Sequence, residues 1–168
     1  MAETTKQYVR RLLGYLGKQQ PLRVLRSTPA RVERLLRGVP PAKLRRRPAP
    51  GKWSIAEIVL HLADSELVYA YRLRTILAQN RARIIAFDQN DWAAAGRYNR
   101  RDLRGALEML RVLRRTNLEL LKVIPRQKWS HYGIHQERGK ESVAHLARLY
   151  AAHDLNHLLQ IRRIVAAG

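Results

Sequence analysis

The chain has 168 residues, a formal charge of +20 from 33 lysines and arginines against 13 aspartates and glutamates, and no cysteine. The length suits one ordinary domain able to bury its own core. The lack of cysteine excludes a disulfide framework, a thiolate metal site and a cysteine nucleophile. A hydrophobic content of 46% excludes disorder, no apolar run approaches the ~18 residues of a membrane span, and the amino terminus has no signal-peptide core; a cytoplasmic protein without a membrane partner is expected.

Tyr8, Leu12, Leu13 and Leu16 recur at helical spacing, so residues 5–16 predict a short helix, within an extension at 1–19 that precedes the main domain at 20–168. Pro21 marks the next helix start, and Leu22, Leu25, Val32, Leu35 and Leu36 follow. Ser27-Thr28-Pro29 reads as an interruption with a fresh cap, and Gly38 with Pro40-Pro41 as the stop. Ser54 and Glu57 form a capping box for a helix running to about Ala78. In the next link Asp88–Ala95 predicts a short helix, capped by Asp88 and burying Trp92.

A third long helix is expected over roughly 100–123, with Asn99 or Asp102 near its start and Pro125 past its end. A fourth should run from Ser142 to about Val165, with Val143, Leu146, Ala147, Tyr150, Ile161 and Ile164 as its apolar seam. The one β signal is an extended piece near Tyr132–Gln136. Four long amphipathic helices predict an all-α four-helix bundle, and the long second link leaves room for a crossover.

Residues 1–50 carry 13 basic and 2 acidic side chains, including the run Arg45-Arg46-Arg47. That field predicts non-specific contact with nucleic acid. One reading of the chain is therefore a basic helical nucleic-acid-binding protein with a structural or vestigial metal. The aromatics Trp53, Trp92, Trp129 and Tyr150 sit at packing positions rather than between arginines, which favours an enzyme instead.

Six histidines carry the chemistry. His153 and His157 are four apart in a helix, so they project from one face, in line with Leu146, Tyr150, Ile161 and Ile164. His61 lies mid-helix beside Ile58 and Leu62. Three inward imidazoles on two helices need partners for their ring nitrogens, and a shared divalent cation supplies one. Three separate core histidines are the alternative. Asp64, Ser65 and Gln160 stand within one turn of these rings and can orient them. Asp154 occupies the position where a zinc protease needs its glutamate base, which excludes that reading. His131 and His135 read as exposed loop histidines, or as alternating on an extended segment, and His145 as partly exposed.

Five stretches together resemble the DinB/YfiT-like metalloenzyme family: Gly51-Lys52-Trp53-Ser54-Ile55; His61-Leu62-Ala63-Asp64-Ser65-Glu66; Phe87-Asp88-Gln89-Asn90-Asp91-Trp92; His135-Gln136-Glu137-Arg138-Gly139; and His153 through Ile161. Gln136 stands where the family's loop has proline. The resemblance implies a four-helix bundle with a long crossover connection. It also implies a divalent metal, zinc or nickel, on three histidines that fall on His61, His153 and His157. The activities it implies are transfer of a low-molecular-weight thiol, thiol-dependent isomerisation or metal-dependent hydrolysis. The expected protein is thus a metal-dependent enzyme, of the thiol-transferase or hydrolase kind, that activates a small thiol or water. Asp64, Asp88 or His135 would accept the proton. Its expected partners are a small-molecule substrate and a second copy in a homodimer.

Overall fold

Polar side chains set where the long helices begin. In the computed structural model, which describes residues 3–167, Ser54 accepts from the Glu57 amide while the Glu57 carboxylate accepts from the Ser54 amide. This closes the expected capping box on α4 (Ile55–Ala78). Earlier in the chain lie α1 (Thr5–Leu16), α2 (Pro21–Leu36) and a five-residue α3 (Pro41–Arg45). Later come β1 (Ala82–Ile84), α5 (Gln89–Ala95), α6 (Leu103–Val123), β2 (Tyr132–His135), β3 (Gly139–Ser142) and α7 (Val143–Ala166). Asp102 accepts from the amides of Arg104 and Gly105, so α6 starts there rather than at 100. Ser142 caps α7 through the His145 amide.

The expected break at Pro29 is absent, and α2 runs through it. Proline has no N–H to give the Leu25 carbonyl one turn back, so continuing the helix orphans that acceptor. Arg114 of α6 supplies the missing donor, its Nη1 lying 2.6 Å from the Leu25 carbonyl oxygen. Arg114 is itself buried, bonded to Glu66 of α4 at 2.8 Å and Asp154 of α7 at 2.7 Å. One guanidinium therefore ties all four long helices together.

Those four form a closed ring in which α2 packs on α6 and α7, and α4 packs on the same two. Consecutive α2 and α4 stand across the ring from each other, as do α6 and α7, so the first and third links carry the chain across while the second joins neighbours. The amino-terminal α1 lies on α7, with Leu12 and Leu16 buried in the common core.

The second and third links build a small sheet of order β1-β2-β3, parallel then antiparallel, where the sequence reading anticipated one extended piece. Gly133 permits it. A Cβ there would meet Ile84 at 2.5 Å, so any larger residue would push β1 away. β3 ends on Ser142, the cap of α7, and thereby holds the hairpin against the helix that carries two of the histidines.

Candidate metal centre

Helical spacing and the ring's geometry bring three of the six histidines together. His61 on α4 and His153 and His157 on α7 face one another, with Nε2 to Nε2 distances of 2.9 Å from His153 to His61 and 3.1 Å from His153 to His157. Their ligating nitrogens all lie within 4.8 Å. His61 and His157 are buried and His153 is partly exposed. Burial is the main force holding all three in the neutral form. It is reinforced at His61 by His157 and His153, and at His157 by His153 against an opposing bond to Gln160. At His153 the charges of Arg114 and Arg138 add to burial and bring the pKa to about 4.

The surrounding contacts fix the rings. Gln160 Oε1 lies 3.0 Å from His157 Nδ1, so that nitrogen carries the proton and Nε2 presents a lone pair. Ser65 Oγ lies 3.3 Å from His61 Nε2, and the Trp53 ring packs on His61 at a centroid distance of 4.8 Å. A single proton on His153 Nε2 cannot serve both facing nitrogens fully, and His153 Nδ1 is buried without a partner among the described residues. A cation at the centre satisfies all three lone pairs. Three imidazoles on a tetrahedral zinc ion hold their nitrogens roughly 3.3 Å apart; the two pairs at His153 lie within a few tenths of an ångström of that, and the His61–His157 pair, within 4.8 Å, has to draw in to close the triangle.

Two cavities reach this cluster. One of about 570 Å³ takes in His61 and His153 along with Ser65, Arg72 and Tyr150. The other, of about 680 Å³, takes in His157, Gln160 and Trp53. Tyr8 of α1 and Gln89 and Asn90 of α5 line both, so the amino-terminal helix forms part of the site wall.

The remaining candidates have other neighbours. Asp64 accepts from the Tyr98 hydroxyl and lies 3.8 Å from Arg101. Asp88 is exposed, caps α5 and lines the first cavity. His135 is buried rather than exposed in a loop, because β2 alternates its side chains inward and outward. Its Nδ1 accepts from the Glu137 and Arg138 amides, and its Nε2 lies 3.2 Å from Arg72. Trp92, expected to be buried, is 38% exposed and packs on Phe87. Asp154 points into the Arg114 network.

Sequence reasoning passed over Arg72 and Arg114, both 3% exposed or less. The signal that selects the histidines also marks these two. Arg72 stands three helical turns after His61 on the same face, and Arg114 interrupts the seam between Leu110 and Leu118.

A sequence model of the DinB superfamily matches residues 25–161. The chain is 30% identical over 112 residues to "Putative metal-dependent hydrolase OB0413" of Oceanobacillus iheyensis, covering 67% of this chain and 64% of that protein. It is 26% identical over 111 residues to "Putative metal-dependent hydrolase OB0782" of the same organism, again over 64% of the relative. The chain thus spans less than two thirds of the length of these two curated relatives. It is 24% identical over 149 residues to "Putative metal-dependent hydrolase YfiT" of Bacillus subtilis, covering 88% of this chain and 83% of that one. The solved YfiT structure, described as a probable metal-dependent hydrolase with an unusual four-helix bundle topology, superposes with a TM-score of 0.81 at 22% identity. It covers 88% of this chain and 87% of YfiT, and it establishes the shared fold.

Proposed function

The chain belongs to the DinB superfamily, and from that premise we propose a divalent-metal-dependent enzyme that holds zinc or nickel on His61, His153 and His157 and acts on a small molecule with water or a small thiol. The observation that carries this reading is the convergence of three neutral Nε2 atoms beside an open cavity. Three nitrogen donors without thiolate suit Zn²⁺ or Ni²⁺ and leave positions free for an outside ligand, as catalytic sites do. A divalent ion there supplies Lewis acidity, which makes water or a thiol nucleophilic near neutral pH.

The chain's own residues prepare that chemistry. Gln160 accepts the His157 Nδ1 proton and keeps the ring in the tautomer that faces the cluster. Ser65 and Trp53 hold His61 from two sides. Without a cysteine the chain offers no thiol of its own, so a thiol would enter as cosubstrate. Of Asp64, Asp88 and His135, only Asp88 lines the cavity, and it is the residue assigned to accept a proton there.

The test is metal content after dialysis against a limiting Zn²⁺ buffer. Alanine at His61, His153 or His157 should each lower bound metal at least tenfold, while His145→Ala should retain it. Full occupancy in His153→Ala would sink the site. Loaded protein should then accelerate displacement of halide from a haloarene by a small thiol, or ester hydrolysis without thiol, over the free-metal control.

A further inference from the structure

The first cavity ends at Arg72, a buried cation with no carboxylate partner among the described residues. Arg72 is 3% exposed, yet among the described residues its hydrogen bonds go only to neutral groups. These are the Ile85 carbonyl at 3.0 Å and the Tyr150 hydroxyl at 3.4 Å; His135 Nε2 lies 3.2 Å away, but with Nδ1 accepting from two amides it carries the ring proton and offers the guanidinium no lone pair. The other buried arginine, Arg114, has two carboxylates, and Arg138 nearby has Glu141 at 2.6 Å. Taking a guanidinium out of water without an opposite charge is costly, and folds retain such groups where an anion can reach them. The Arg72 guanidinium lies 5.8 Å over the Phe87 ring and bonds to Tyr150, and both rings line the cavity with it. Tyr150 in turn lies next to His153, at a ring-centroid distance of 6.3 Å.

Building on the proposed metal centre, we propose that Arg72 is an anion-binding residue that receives the carboxylate of a small organic substrate whose reacting end lies at the histidine cluster. The cavity, at about 570 Å³, is of small-molecule size. Its walls favour a monoanion with an apolar body. Phe87, Leu149 and Tyr150 supply apolar and aromatic surface, whereas the exposed carboxylates Glu3, Asp88 and Glu137 around it repel multivalent anions such as phosphate. The guanidinium fork pairs with a carboxylate through two parallel hydrogen bonds, which a lysine cannot reproduce.

The probes are 3-phenylpropionate, its neutral amide and inorganic phosphate, titrated by calorimetry into the full chain with and without Zn²⁺. The acid should bind at least tenfold more tightly than the amide in both forms, and phosphate more weakly than the acid. Arg72→Gln should bring the acid down to the level of the amide while zinc stoichiometry stays at the wild-type value. A readout on wild type avoids dependence on that variant's folding: the Arg72 Nε–Hε resonance, identified by its absence in Arg72→Lys, should shift with the acid and not with the amide. Equal binding of acid and amide, an unmoved resonance, tighter binding of phosphate, or an acid preference that needs zinc and survives Arg72→Gln would each overturn the assignment. Failure of the metal reading looks different: wild-type protein would not retain zinc, while the Arg72-dependent preference for the acid would remain.

Discussion

His135 and His153 are both held near pKa 4, and their surroundings give them different work. His153 faces two other imidazoles. His135 is enclosed by Arg72, Arg138 and Glu141; burial lowers its pKa first, the charges of Arg138 and Arg72 add to this, and Glu141 opposes them. Its unfolded value is near 6.5, so between about pH 6.5 and 4 the unfolded chain binds a proton that the folded chain refuses. The stability share is therefore complete above pH 6.5 and lost as pH falls through 4. His135→Gln should flatten the fall in urea midpoint of metal-free protein between pH 7 and 4. Parallel curves for the two proteins would show that His135 is not refusing the proton. The three clustered histidines were legible in the sequence because helical periodicity places them on apolar seams, where an imidazole needs a partner. Arg72 and Arg114 satisfy the same test. The partners of Arg114 lie 40 residues or more away, and those of Arg72 lie just past β1 at Ile85 and on α7 at Tyr150; local spacing does not encode such contacts.

Pro29 shows how an element can depend on a side chain from another helix. Its missing N–H leaves the Leu25 carbonyl to Arg114, so the energetic effect of the proline is conditional on Arg114. A double-mutant cycle measures this. Pro29→Ala alone should change stability by less than about 1 kcal/mol, since the carbonyl is already bonded. Arg114→Met should destabilise by about 3–5 kcal/mol because it leaves Glu66 and Asp154 buried without their cation. The loss should be smaller by about 1 kcal/mol in the Pro29→Ala background, where the restored amide takes over the Leu25 carbonyl. An additive cycle would mean that the two donors do not share that acceptor. Helix starts at Ser54 and Ser142 were legible because their caps are local hydrogen bonds, and Asp102 was one of the two caps the sequence offered for α6. Of the strands only β2 was legible, as the extended piece at Tyr132–Gln136; β1 and β3 are too short to carry periodicity, and β1 forms by pairing with β2, some fifty residues away.

The charge of the whole molecule is distributed unevenly, and the fold sorts it further. Arg45 bonds to the carbonyls of Asn99 and Arg101, and Arg47 to Glu57, so two arginines of the basic run serve the fold itself. On α2, by contrast, Arg23, Arg26 and Arg34 are exposed and share one stripe at helical spacing, with exposed Arg37 just past the helix end. The stripe suits phosphate contacts, and none of the aromatics needed to stack on bases lies between these arginines. Duplex DNA binding measured by fluorescence anisotropy should therefore be indifferent to sequence and fall steeply with salt. Each phosphate contact contributes roughly 0.9 to the slope of log affinity against log salt. Replacing Arg23, Arg26 and Arg34 together by glutamine should lower that slope by about 2–3. The same triple variant should keep its metal, because the stripe and the histidine cluster share no residue. Strong preference for one DNA sequence at physiological salt, or an unchanged slope in the triple variant, would remove the stripe from the account and require the charge to act elsewhere.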